Sequence, residues 1–150
     1  MRRSRRWLQW PDVPRSRAKT RAATPADATA YFAKAAEFLR AAQDSFELGN
    51  HTAATGNSVH AGIAASDALS AALAGSVSQD DHADAPSHLD AIGGDGKIAA
   101  RQLRQLLPLK TQAEYDPRAV SATDARRAVS AAARLVALAE RVVSKSGSDR

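Results

Sequence analysis

Residues 121–143 read SATDARRAVSAAARLVALAERVV, and their spacing decides the fold. Ala125, Ala128, Ala132, Leu135, Ala139 and Val142 recur at 3-4-3-4-3, widened by Val129, Val136 and Val143. That is the stripe of an amphipathic helix, one face apolar and the other charged. Ser121 stands at its start with Asp124 three residues on, a variant of the capping box. A second helix of the same kind begins at Thr24-Pro25-Ala26-Asp27, where a hydroxyl cap precedes Pro at the first position and an acid near the positive end of the dipole. Tyr31, Ala35, Phe38 and Ala42 then recur at 4-3-4, with Phe32, Leu39 and Phe46 alongside, as far as Leu48; Gly49-Asn50 supplies the stop.

Between these two, residues 52–74 predict an Ala-rich helix ending at Gly75. Val59, Ile63 and Leu73 are its bulk, and Ala61, Gly62, Ala64, Ala65 and Ala68 are small, so neighbouring helices can approach it closely. Gly56 and Gly62 each cost about 1 kcal/mol of helix propensity, so packing must supply its stability. The break at Gly49 predicts an antiparallel hairpin with the preceding helix. Residues 76–97 change character: Asp80, Asp81, Asp84, Asp90 and Asp95 accompany Pro86 and Gly93-Gly94, with no base before Lys97. They predict a long acidic connection with one helical turn near 87–92. A further helix follows from Ile98 to about Leu107, and Pro108 and Pro117 bracket a short segment after it. No run alternates with period two for long, so no sheet is expected. The fold class is all-α, an up-down bundle of four to five helices.

Composition agrees. Hydrophobic residues make up 44% of the 150, but 35 of those 66 are Ala, leaving 31 larger apolar side chains. That fills one helical core and not a layered mixed sheet. The absence of Cys excludes a disulfide framework and any thiolate metal site. No apolar run approaches the ~20 residues of a transmembrane helix, which predicts no membrane partner. The net charge of +5 divides by position. Residues 1–22 hold eight bases against Asp12, a net +7, and the other 128 residues hold 13 bases and 15 acids, a net −2. We therefore read residues 1–22 as a disordered basic N-terminal arm, residues 23–145 as the bundle and residues 146–150 as a frayed C-terminal tail. Arg2-Arg3 is followed by Trp7-Leu8-Gln9-Trp10-Pro11 and not by an apolar segment, so export is not expected and the cytoplasm is. An arm with two Trp suits phosphate and base contact; a solvated tail is the plainer reading.

The chemistry-bearing positions are few. His82, Asp84 and His88 carry ligand atoms, but spacings of two and four across Pro86 match no rigid metal site, and neither metal nor cofactor is expected. Gly93-Gly94-Asp95-Gly96 lacks the preceding strand and following Lys-Ser/Thr of a phosphate loop. Two basic stripes are better candidates for nucleic acid: Lys97, Arg101 and Arg104 share one helix face, and Arg127, Arg134 and Arg141 repeat every seven. Both also fit the ordinary solvated side of an amphipathic helix. His60 and Asp67 lie on one helix face, about 10 Å apart along the axis. A buried polar group there needs a partner, for which Lys110 is available. His60, Asp67, Lys110, Glu114 and Tyr115 are thus expected to form a polar cluster, either a satisfied core contact or a site between helices.

Tyr31-Phe32-x-Lys34-Ala35-x-Glu37-Phe38-Leu39, then Gly49-Asn50, then His60 to Leu69 resembles the first helical hairpin of the HEPN family, named for "higher eukaryotes and prokaryotes nucleotide-binding". Leu106-Leu107-x-Leu109-Lys110-x-x-Ala113-Glu114-Tyr115-Asp116 and the helix from Ala125 to Val143 resemble its later elements, so the likeness spans about residues 24–144. It implies an all-α homodimer. It also implies RNA contact or a protein partner such as an antitoxin, in toxin–antitoxin or defence-type modules, many of which are metal-independent RNases. The nuclease motif of that family, Arg, four to six residues, then His, is missing: none of His51, His60, His82 and His88 has an Arg five to seven residues before it. Lys110 stands at the Arg position and lacks its bidentate fork, and no imidazole follows to move a proton near neutrality. The expectation is a non-catalytic binding module. The alternative is a divergent RNase using Lys110, His60 and Tyr115, which requires Lys110 and His60 to converge on one open cleft.

Overall fold

A computed structural model describes residues 20–79 and 82–148. Five helices carry the chain: α1 (Pro25–Glu47), α2 (His51–Ala74), α3 (Ala85–Ile92), α4 (Asp95–Tyr115) and α5 (Ala122–Ser148). The all-α bundle expected from the spacing is the architecture found. α1 starts as its residues dictate: the Thr24 hydroxyl accepts the Asp27 N–H, and the Asp27 carboxylate accepts the Thr24 N–H in return. That reciprocal pair satisfies two donors that no helical carbonyl can reach. α2 ends at Gly75, whose φ of +65° closes the helix in the left-handed region. Ser121 Oγ accepts the Asp124 N–H at 3.1 Å and caps α5.

α2 is the central element, packed against α1, α4 and α5. Its small residues explain why. Gly62, Ala61, Ala65 and Ala68 are buried, and a Cβ at Gly62 would collide with Leu106 Cδ1 of α4 and press on Leu135 Cδ1 of α5 at 3.4 Å. The core is thus a few full-sized leucines (Leu69, Leu89, Leu103, Leu106, Leu135) set among alanines that let the backbones approach. Burial of each such leucine contributes about 1.5–3 kcal/mol.

Four expectations are corrected. A two-stranded antiparallel sheet exists: β1 (Thr20–Ala22) pairs with β2 (Ser76–Ser78), Arg21 opposite Val77. Three residues are too few for alternation to register, and the pairing joins the segment before α1 to the segment after α2. The acidic connection is shorter than expected, because after β2 and a 3-10 turn at His82–Asp84 the chain forms α3 over two full turns, with Pro86 and Leu89 buried. α4 does not stop at Pro108 but runs on to Tyr115. Pro108 and Arg104 are both exposed, so the carbonyl that Pro108 leaves without a donor faces water, and Leu107 and Leu109 pack against the core on either side. The tail is helical through Ser148, with Ser148 Oγ donating to the Ser144 carbonyl. The arm loses its last residues to β1, and the remainder, with Arg2, Arg3, Trp7 and Trp10, lies outside the described residues, as do Asp80 and Asp81.

Candidate anion-binding groove between α4 and α5

Parts of the two basic stripes converge. Arg104 from α4 and Arg127 and Arg134 from α5 line one groove of about 660 Å³, together with Gln105, Pro108, Leu109, Asp124, Arg126 and Ser130. The antiphase packing of the two amphipathic helices does this: each turns its leucines and alanines inward against α2, so the flanks beside the seam carry the charge. Arg127 and Arg134 sit two helical turns apart, about 10.5 Å along α5. Among the described residues Asp124 is the one acid in the groove walls. Four guanidinium groups about one concavity give a locally positive field on a bundle whose net charge is slightly negative, and guanidinium is the cation whose planar fork matches phosphate oxygens in pairs.

Two of these arginines have partners. Arg104 is hydrogen-bonded to Asp90 at the end of α3, which holds the Asp90 carboxyl below its ordinary range. Arg126 lies with its guanidinium carbon 5.4 Å from the centroid of the Phe46 ring on α1, a cation–π contact. Arg126 is the residue that stripe-counting misses: it sits 100° around the helix from Arg127, outside the seven-residue repeat, and only the neighbouring α4 brings it into the same concavity. The Arg126-Arg127 doublet is the one sequence signal for it. Lys97, Arg101 and Arg141 are exposed and do not line the groove.

The expected polar cluster divides in two. His60 and Asp67 line a smaller groove of about 270 Å³ with Tyr31, Lys34, Phe38, Ile63, Ala64 and His82. The His60 ring lies 5.2 Å from that of Phe38 on α1. Gly62, two residues or about 200° further round α2, faces Leu106 of α4. His60 is thus turned away from α4, the helix that carries Lys110, Glu114 and Tyr115, and none of those three lines its groove. Tyr115 is 75% exposed. Lys110 and His60 accordingly do not line one cleft, because His60 is on the side of α2 away from α4.

Asp67 still has an unusual environment. Burial raises its pKa from 3.8 to about 6, against the opposing pull of Arg21 and Lys34. Arg21, on β1, donates to Tyr31 Oη at 2.6 Å, so the short strand pairing positions a cation at this groove's edge. No group of three or more His, Cys, Asp and Glu is placed to hold a metal ion among the described residues. No helix there is long and apolar enough to cross a membrane. No protein-family model and no curated protein matches the chain.

Proposed function

We propose that the chain is a HEPN-like helical module that binds RNA through its phosphate backbone in the α4–α5 groove and does not cleave it. The observation that carries the reading is the meeting of Arg104, Arg126, Arg127 and Arg134 on one concavity. Phosphate contacts of this kind supply most of the sequence-independent affinity for nucleic acid. Two facts support a binding role over catalysis. The Arg-x(4–6)-His spacing is missing from the sequence, and Lys110 does not line the groove that holds His60, which counts against the alternative RNase. On this reading the protein acts as a homodimer within a toxin–antitoxin or defence-type pairing, with an antitoxin as its protein partner, as the hairpin's resemblance implies.

The test is fluorescence anisotropy with an end-labelled RNA across a salt series. The Arg127→Ala/Arg134→Ala double variant should bind more weakly. Its slope of log K against log salt should be shallower by about 0.7 for each phosphate of a single strand that is no longer neutralised. RNA recovered from the wild-type incubation should be intact. Unchanged affinity and slope in the double variant would remove the groove from the binding surface, and fragments that disappear in Lys110→Ala and His60→Ala would reinstate the nuclease.

A further inference from the structure

The anion groove does not end at Arg126. The Arg126 guanidinium covers the Phe46 ring at 5.4 Å, and that ring lies 5.5 Å from the imidazole of His51 at the start of α2. His51 in turn lines a second, open concavity of about 550 Å³ where the α1–α2 turn meets the segment before α5. The walls of this concavity are largely apolar, chiefly Ala53, Ala119 and Val120, and among the described residues no carboxylate lines it. It is a formed feature of the fold: the Thr52 hydroxyl accepts the Val120 N–H at 3.1 Å and ties its two walls together. Gly49, at φ +78°, leaves one side open, since no atom lies within 4 Å of the place a Cβ would occupy there. His51 Nδ1 is buried and has no hydrogen-bond partner among the described residues.

From this continuity we infer that the concavity beside His51 takes an unpaired base of the same RNA whose phosphates lie along the α4–α5 arginines, so that the ligand is single-stranded. The inference rests on the phosphate reading above and extends it. Charge and shape divide the work as such ligands require: guanidinium groups track a backbone, while an apolar recess with an aromatic wall accepts a π-face. A base inside a duplex is paired and stacked on both sides and cannot enter such a recess; an unstacked one can.

The experiment compares a short labelled single-stranded RNA, its duplex and an abasic ribose-phosphate strand of equal length. Wild-type protein should prefer the single strand to the duplex. His51→Ala should weaken single-strand binding at least about fivefold, the low end of an aromatic–base stacking interaction, while leaving the salt slope and the abasic affinity unchanged. His51→Phe should restore binding, which a purely structural role for the imidazole would not allow. With the unaltered full chain, photocrosslinking of a 4-thiouridine strand should mark residues 49–53 and 119–120, a readout that does not depend on any variant folding. Equal affinity of wild type and His51→Ala, or crosslinks confined to the α4–α5 groove, overturns the base recess while the phosphate reading stands. Binding that survives in Arg127→Ala/Arg134→Ala as well overturns both.

Discussion

Replacing Asp67 by Asn should stabilise the bundle at neutral pH and lose most of that gain in acid. Asp67 sits half-buried between α1 and α2, beside Phe38, Ile63 and Ala64, and burial raises its pKa from 3.8 to about 6 despite Arg21 and Lys34. The folded protein therefore binds this proton more tightly than the unfolded chain. The stability contributed by the group is fully present below about 3.8 and is lost as pH rises through about 6. Each tenfold change in proton affinity corresponds to 1.36 kcal/mol, so at pH 7.5 the ionised carboxylate costs the fold up to about 3 kcal/mol. An amide of the same shape removes the charge but keeps polar atoms to be solvated, which reduces the expected gain to about 1–3 kcal/mol. Urea unfolding of wild type and Asp67→Asn, followed by circular dichroism from pH 4.5 to 7.5, measures it. The gap between the two should shrink by about 2 kcal/mol on going to pH 4.5, by the same linkage. A gap that is constant with pH, or that widens in acid, would show that Asp67 is not held in the desolvated setting described.

Two further substitutions probe the core and the helix that carries the groove. Gly62→Val should destabilise by about 1–3 kcal/mol or more, because its side chain must displace Leu106 and Leu135 from a packed interface; a stability equal to wild type in denaturant titration would mean that α2 and α4 do not approach closely. Pro108→Ala should stabilise α4 by about 1–3 kcal/mol, since it restores a backbone donor inside a helix and Pro is about 3 kcal/mol less favourable there than Ala; a loss of stability would show that α4 ends at Leu107 after all.

How well each element can be read follows from how local its cause is. α1, α2 and the start of α5 are specified within their own windows, by Thr24 with Asp27, by Gly75 and by Ser121, and these ends fall within a residue or so of the expected positions, whereas α5 runs on to Ser148 with no stop before the expected tail. In α4, Pro108 is a local stop signal, and what overrides it is tertiary: Leu106 wedged against Gly62, and Leu107 and Leu109 resting on the same core. β1 and β2 have no local signal, because Arg21 and Val77 are opposite one another only after the α1–α2 hairpin has brought residues 20 and 78 together. The site residues divide the same way. Which arginines lie on one helix face is legible in the spacing, and which faces meet is not. Arg104, Arg127 and Arg134 can therefore be picked out without their groove, whereas Arg126 belongs to it only through the neighbouring helix. His60 and Lys110 group together by residue type and expected depth, and the rotation of α2 separates them.

Net charge is the wrong scale for asking whether this bundle meets an anion. Outside residues 1–22 the chain carries two more acids than bases, which by itself argues against nucleic acid. A ligand does not sample the sum, however, because beyond a Debye length of about 8 Å exposed charges are largely screened. What a phosphate entering the α4–α5 groove meets at its walls is four arginines and, among the described residues, the one acid Asp124. Packing has sorted a mixed surface: helices that share the duty of covering α2 bring their charged flanks together at the seam, and here both flanks are basic. Asp90 of α3 reaches the groove from another element by bonding Arg104, so an incoming phosphate must compete for that guanidinium. Removing the competitor should therefore tighten RNA binding. Asp90→Asn is expected to raise affinity and to steepen the salt slope by up to about 0.7, the value for one more neutralised phosphate. If it does neither while Arg127→Ala/Arg134→Ala still weakens binding, the strand runs along α5 without reaching Arg104.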